Sequence, residues 1–369
     1  MISKACVVGA YQRKLEALAA CPELSLTVAV PLEWRDERGG GVTRLERVYT
    51  QGYELVVEPM AFNGNFHLHY YPRIEKLIAR VRPDIVHIDE EPYNLATWHI
   101  LNIAQRYHAK TVFFSWQNLL RRYPFPFHWL EREVLRRADA AIVGNREALE
   151  VWRTKGFTGP MYVIPQFGVD PALFAPSPMR PSPIGRGDGG EGFVVGYAGR
   201  LVVEKGVDVL LRAVARLPAT VQVHIRGGGP EMLALRRLTN ELGLRERVRF
   251  DPLVPSMQMP AFLNQLEALV LPSRTRPNWK EQFGRVLVEA MACGVPVIGS
   301  TSGEIPNVIG EAGLIFPEGE VEALAAHLRA LINDVALCER FARLGRARVL
   351  THYTHQHIAA QTYAVYQSL

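Results

Sequence analysis

Residues 281–306, EQFGRVLVEAMACGVPVIGSTSGEIP, bring together the residue types that a sugar nucleotide would need. Glu281 and Glu289 stand eight residues apart across the start of an apolar helical pattern, with Gly284 between them. A helix start offers outward N–H groups and the positive end of a dipole to an anion. Carboxylates accept hydrogen bonds from hydroxyls and repel phosphates. A phosphate at the helix start, with hydroxyls held on either side, satisfies both. At ~1.5 Å rise per residue, eight helical residues span about 12 Å, roughly the separation of a ribose and a hexose joined through a diphosphate. Taken alone the spacing has a plain alternative, one surface glutamate and one on an ordinary amphipathic helix.

Two further blocks carry complementary chemistry. In FVVGYAGRLVVEKG, residues 193–206, Arg200 and Lys205 share one short loop flanked by Gly199 and Gly206. Arginine presents a planar fork to oxygens and lysine a point charge. If a diphosphate leaves a sugar, negative charge grows on it, and fixed cations there lower the barrier. The third block, Arg226-Gly227-Gly228-Gly229-Pro230, follows a strand-like run at 221–225.

Taken in order, these blocks resemble the retaining nucleotide-sugar glycosyltransferases of family 4. The resemblance is specific over about residues 140–320. It implies an α/β fold of GT-B architecture: two facing Rossmann-like domains with parallel sheets, and a C-terminal helix that crosses back to the first. It implies a UDP- or GDP-linked sugar donor. Arg200 and Lys205 would hold the diphosphate, Glu281 the hydroxyls of the transferred hexose and Glu289 the ribose. Phe283 and Gly284 would offer backbone N–H groups, with Gln282, Arg285 and Val286 completing the donor contacts. Gly199, Gly227, Gly229 and Pro230 would shape the wall near the nucleotide, and the stretch Asp251-Pro252-Leu253-Val254 would hold the base. The resemblance implies front-face attack, in which the leaving phosphate takes the acceptor's proton, with no metal and no further cofactor. A carboxylate nucleophile with a covalent intermediate is the alternative, and Glu281 is its candidate by position.

Acceptor sites in this architecture lie at the C-terminal strand ends of the first domain. There the chain departs from the family. Val8-Gly9-Ala10-Tyr11-Gln12-Arg13 has one glycine where many members have two, and Phe114-Ser115-Trp116-Gln117-Asn118 lacks the histidine found in many members. The candidates on this side are Gly9, Arg13, Glu90, Glu91, Gln117 and Asn118. Gln117 or Asn118 either replaces the missing hydrogen bond or faces water. Asp89-Glu90-Glu91-Pro92 either binds sugar hydroxyls or caps the helix that follows. His67 and His69 have metal-like spacing but no further ligands, so a loop or acceptor-groove role is preferred. Residues 119–137, LLRRYPFPFHWLEREVLRR, mix arginines with aromatics. They either meet an anionic membrane carrying a lipid-linked acceptor or pack on the first domain. Glycan and lipid-linked acceptors both stay open.

Composition bounds the rest. A chain of 369 residues, 48% hydrophobic, can build two domains with cores of their own. The net charge of +5 is spread along the chain, which suits anionic substrates and gives no nucleic-acid footprint. Cys6, Cys21, Cys293 and Cys338 form no C-x-x-C pair and read as free thiols of a reducing compartment. Residues 1–10 do not read as a signal peptide, and no run of about 18 apolar residues occurs, so a cytoplasmic protein is expected. Strand-like runs at 5–8, 26–30, 55–58, 85–88, 111–114, 140–143 and 162–164 alternate with helical stretches at 73–81, 95–107, 129–137 and 146–154. That alternation predicts parallel α/β sheets. The expected domains are 1–174 together with a last helix over about 351–369, and 193–350. Residues 175–192, rich in Pro, Gly and Ser, form a linker or surface loop between them. A catalytically inactive sugar-nucleotide scaffold and a sugar-nucleotide epimerase of the same architecture are the alternatives. A nicotinamide dehydrogenase is excluded because no G-x-G-x-x-G follows the first strand.

Overall fold

Short apolar strands that alternate with amphipathic helices bury both faces of a parallel sheet, and both large sheets of the protein are of this kind. The computed structural model describes residues 1–36, 41–177 and 192–369, so most of the expected 175–192 linker lies outside the described residues. The chain divides into two units. Unit 1 is Met1–Gly168 together with His355–Leu369, and unit 2 is Val169–Thr354.

Unit 1 runs α1 (Gly9–Ala19), β1 (Thr27–Val30), a hairpin of β2 (Glu33–Asp36) and β3 (Gly41–Arg44), and β4 (Glu54–Val57). It continues with α2 (Ile74–Val81), β5 (Ile85–Ile88), α3 (Leu95–Arg106), β6 (Lys110–Ser115), α4 (Phe127–Arg137), β7 (Ala140–Val143), α5 (Arg146–Thr154) and β8 (Met161–Val163). Strand pairs β1–β4 and β5-β6-β7-β8 are parallel. Ile2 bridges Ala29 of β1 and Ile88 of β5, joining the two pieces into one sheet.

The expected strand over residues 5–8 is a correction. The pairing falls on Ile2 and its neighbours, through Ile2 N–H to His87 O (2.9 Å) and Ser3 N–H to Ala29 O (3.0 Å). Residues Ala5–Val7 form a 3₁₀ turn that leads into α1. The apolar run there reflects burial of Cys6 and Val7 under the sheet's neighbours, and burial alone does not distinguish a strand from a turn. The β2–β3 hairpin was not expected, because both its strands are polar.

Unit 2 runs β9 (Val194–Ala198), α6 (Val207–Val214), β10 (Gln222–Arg226), α7 (Met232–Glu241), β11 (Val248–Asp251), α8 (Met259–Leu263) and β12 (Ala268–Leu271). It goes on through α9 (Arg285–Ala292), β13 (Val297–Ser300), α10 (Ile305–Ile309), β14 (Leu314–Phe316), α11 (Val321–Asn333) and α12 (Val335–His352). The last helix, α13 (His355–Gln367), returns to unit 1. Six parallel strands stand in the order β11-β10-β9-β12-β13-β14. Counted along the chain this is 3-2-1-4-5-6, the doubly wound order whose crevice opens at the C-terminal ends of the first and fourth strands. One apolar core fills unit 2, with β9, β12 and β13 as its buried floor and Leu210, Leu287 and Met291 packing onto it from the helices.

Candidate active site

In unit 2 the blocks singled out by sequence follow β9, β10, β11 and β12, all at the C-terminal side of the sheet. β9 ends at Ala198 and leads through Gly199, Arg200 and a 3₁₀ turn at Val203–Lys205 into α6. β12 ends at Leu271 and leads through residues 272–284 into α9. The two loops touch at Gly206, whose φ is +63°. A Cβ there would lie 2.1 Å from the Pro272 carbonyl oxygen, so only glycine permits the contact. Gly227 and Gly229 pack equally closely against the backbone of Gly199 and Leu201, which joins the third sequence block to the first.

Glu281 is buried at the centre. Its Oε2 accepts hydrogen bonds from Lys205 Nζ at 2.5 Å and from Ser273 Oγ at 2.8 Å. Ser273 is itself fully buried, and its carbonyl accepts from Ser300 Oγ at 2.5 Å. The backbone of Glu281 is pinned from below by Glu304 N–H at 3.1 Å and by the close approach of Gly303. Arg200 is held by its carbonyl, which accepts from the buried Tyr197 hydroxyl at 2.8 Å, and its guanidinium carries no carboxylate partner among the ion pairs described. The Lys205 ammonium also stands 5.0 Å from the centroid of the Trp279 ring.

α9 opens at Gly284, in the left-handed region (φ +77°), with no side-chain cap. The eight-residue Glu281–Glu289 spacing is therefore not one helix, because Glu281 to Phe283 lie in the loop and only Arg285 onward is helical. The 12 Å reading falls with it. Glu289 is buried on the first turns of α9 and accepts from Arg285 Nε at 2.8 Å. Burial raises its pKa, with the Arg285 charge opposing. Gln282 is exposed, whereas Phe283 and Val286 are half-buried against the unit 2 core.

Beside the glycine block lies a cavity of about 380 Å³ lined by Gly227, Gly228, Met232, Arg236, Phe250, Asp251, Pro252 and Leu253. Val254 packs toward the core and does not line it. Pro230 begins the approach to α7 and is exposed.

The acceptor-side candidates all lie in unit 1. Asp89, Glu90 and Glu91 follow β5, and each has protein partners. Asp89 accepts from Ser3 Oγ (2.5 Å) and Gln166 Nε2 (2.9 Å). Glu90 is buried against Lys4, with His69 Nε2 at 3.4 Å. Burial would raise its pKa, but Lys4 and His69 outweigh that and hold it at about 2. Glu91 accepts from Ser115 Oγ (2.5 Å) and Trp116 N–H (2.8 Å). Burial pushes its pKa up to about 7 against the pull of those bonds and Lys4. Gln117 and Asn118 are buried rather than facing water, and Gln117 Oε1 accepts from Tyr123 at 2.5 Å. Gly9 donates its N–H to Glu46 (2.6 Å), and Arg13 pairs with Glu16 and lies over Tyr49, so these two form a separate cluster with the loop after β3. His67 sits among Phe66, Tyr93, Tyr123 and Phe127. Among the described residues no three His, Cys, Asp or Glu side chains converge as a metal site.

Sequence reading missed two residues of the unit 2 site, Ser273 and Trp279. Ser273 sits in no motif, and its only signal was its place just after a buried strand. Trp279 is an aromatic in an otherwise polar loop, a cue that went unused.

A six-stranded doubly wound parallel sheet with Arg200, Lys205 and Glu281 on the loops at its switch point, in a chain that holds a second α/β unit, defines a protein of the two-domain α/β class. Family models then give its membership. "Glycosyl transferases group 1" matches residues 186–348 and "Glycosyltransferase Family 4" matches residues 32–173. Between them they cover most of the chain, which carries a domain of each of these glycosyltransferase families. A GDP-mannose-dependent alpha-(1-6)-phosphatidylinositol monomannoside mannosyltransferase from Mycolicibacterium smegmatis is 33% identical over 50% of this chain and 51% of its own length. An MMP alpha-(1->4)-mannosyltransferase from Mycolicibacterium hassiacum is 29% identical over 68% of this chain and 59% of its own. The chain thus spans about half the length of the curated relatives it matches. Among solved structures, a sucrose-phosphate synthase from Thermosynechococcus elongatus aligns with a TM-score of 0.73 at 22% identity, covering 97% of this chain and 92% of that one. Anabaena HepE in complex with UDP and glucose aligns at 0.72 and 19%, covering 100% and 98%. At these identities the likeness is one of fold, the GT-B fold.

Proposed function

We propose that the protein transfers a hexose from a nucleoside-diphosphate sugar to a hydroxyl acceptor with retention of configuration and without a metal. The observation that carries this is the Lys205–Glu281–Ser273 cluster at the switch point of unit 2, with Arg200 on the same loop. A diphosphate brought to α9's positive end competes with Glu281 for Lys205 and also engages Arg200. Glu281, still held by Ser273, then accepts from hydroxyls of the hexose. Glu289 takes the ribose hydroxyls, and the cavity bounded by Phe250 and Pro252 takes the base. As the glycosidic bond breaks, negative charge on the departing phosphate meets Lys205 and Arg200. That phosphate oxygen accepts the acceptor's proton on the same face. The two mannosyltransferase relatives, one of them GDP-mannose-dependent, favour a GDP-linked mannosyl donor, with UDP-linked hexose as the other candidate.

The deciding experiment is a metal-free thermal-shift panel of UDP, GDP and their hexose conjugates. A shift with one nucleotide, lost in Lys205→Ala and Glu289→Ala, is expected. No shift with any of them would sink the donor-site reading. Glu281→Gln should lower turnover with no covalent glycosyl-enzyme. A hexose adduct on Glu281 of the wild-type protein, seen by mass spectrometry, would replace front-face attack with double displacement.

For the acceptor we propose a glycan or lipid-linked saccharide bound on unit 1, with the reaction in the cytoplasm, a setting that suits four cysteines outside any disulfide among the described residues. No helix among the described residues is long and apolar enough to cross a membrane. Leu120 and Phe125 are 61% and 76% exposed beside Arg122, which supports peripheral contact with an anionic bilayer. Flotation with anionic vesicles at low salt is expected, and recovery only in the soluble fraction would remove that contact.

A further inference from the structure

The loop between β12 and α9 is built more firmly than a connection requires. Arg274 is clamped by Asp208 at 2.6 Å and by the Val203 carbonyl at 3.1 Å. Thr275 is clamped by Glu318 through both its N–H (2.5 Å) and its hydroxyl (2.7 Å). Arg276 and Trp279 then exchange two backbone hydrogen bonds, of 2.7 and 3.1 Å, closing a tight turn with Pro277 and Asn278 at its corners. Proline fixes the first corner and asparagine tolerates the second, so the turn is pre-set.

The consequence is that the Trp279 ring is delivered to the Lys205 ammonium, 5.0 Å from its centroid, while the same ammonium touches Glu281. The ring is only half-buried. It is not a core residue, and Lys205 already has a carboxylate for its charge. A large aromatic held at such a place by four side-chain clamps and a closed turn calls for a ligand surface. A pyranose has a polar hydroxyl edge and apolar C–H faces. A hexose whose hydroxyls reach Glu281 and whose phosphate reaches Lys205 would lie beside the indole, which stands 5.0 Å from that same ammonium.

We propose that Trp279 is the platform for the transferred sugar, a specificity-determining residue that recognises the apolar face of the hexose and not the nucleotide. The inference rests on the donor-site reading above and goes beyond it in assigning the sugar, as distinct from the diphosphate, to an aromatic on the 274–280 loop.

The test compares the dissociation constants of UDP and GDP with those of UDP-glucose and GDP-mannose, by calorimetric titration on the full chain. In Trp279→Ala the sugar conjugate should bind about tenfold more weakly while the bare diphosphate is unchanged. Trp279→Phe should keep most of the sugar's contribution, and Trp279→Leu should lose it; this pair decides the matter if the alanine variant does not fold. Trp279 is the one tryptophan of the six that lies within Val169–Thr354, so the fluorescence change on adding the conjugate should vanish in Trp279→Phe. Parallel losses for diphosphate and conjugate would assign Trp279 to holding Lys205 and overturn the proposal. Equal binding of the conjugate by wild type and Trp279→Ala would overturn it alone. Failure of the wild type to bind any nucleotide would overturn the donor-site reading and this one together.

Discussion

At the scale of single residues, the strand ends of the two units use carboxylates in opposite ways. In unit 2 Glu281 has one lysine and one hydroxyl on a single oxygen, a set of bonds that an incoming phosphate and hydroxyl can exchange. In unit 1 the Asp89–Glu91 run is spoken for by the protein, and the cost shows in its ionisation. Glu91, half-buried, has its pKa raised from 4.5 to about 7 by burial. For a carboxyl group raised in the folded state, the unfolded chain releases its proton first as pH rises. Stability therefore falls between about pH 4.5 and 7 and levels off above, the reverse of the trend for Glu90, held at about 2, whose contribution is present above pH 4.5 and lost as pH falls toward 2. Glu91→Gln keeps an acceptor for Ser115 or Trp116 and removes the charge. Its unfolding free energy should exceed that of the wild type by about 1–2 kcal/mol at pH 8, allowing for partial exposure, and equal it at pH 4.5. Denaturant unfolding at the two pH values decides; the same difference at both would place the effect in packing instead of charge.

At the scale of elements, the site depends on loops brought within backbone contact. The 301–304 turn places Gly303, φ +54°, where a Cβ would stand 2.0 Å from the Glu281 carbonyl oxygen. Gly303→Ala must therefore displace the Glu281 backbone and disturb the bonds its side chain makes with Lys205 and Ser273. A displacement of about 1 Å at a catalytic group can cost about a hundredfold in rate. The expected outcome is a fall of that order in turnover with little change in affinity for the bare nucleotide, since Lys205, Arg200 and Glu289 stay in place; unchanged turnover would refute the coupling. Much of this was legible in the sequence, because the residues that make the contacts are glycines with a fixed meaning. The helix over 285–292, the glycines at 206, 284 and 303, and the pairing of apolar strands with helices all follow from local pattern. The strand order was not legible, since nothing local says that β12 lies beside β9. The first strand was misplaced because its pairing rests on Ile2, one residue with no period to read. Ser273 and Trp279 escaped because a serine after a buried strand and an aromatic in a polar loop are weak signals on their own; the distances to Glu281 and Lys205 give them meaning.

At the scale of the whole molecule, all the residues proposed for the donor site belong to unit 2, which has its own apolar core, and unit 1 is built on separate ones. A nucleotide that binds only unit 2 stabilises only unit 2, by about 2.7 kcal/mol at 100 times its dissociation constant. The tryptophans make the two units separately visible. Five of the six, Trp34, Trp98, Trp116, Trp129 and Trp152, lie in unit 1, and Trp152 is fully buried there. Tryptophan emission during heating therefore follows unit 1 in the main, with Trp279 as the minor contribution of unit 2, whereas calorimetry registers heat from both. With the cognate nucleotide present, a calorimetric transition should move up by a few degrees while the midpoint of tryptophan emission stays fixed. Removing the Lys205 and Glu289 side chains should return the moved transition to its place and leave the other untouched. If emission and heat shift together, nucleotide binding is felt by both units, and the assignment of the whole donor site to Val169–Thr354 is wrong.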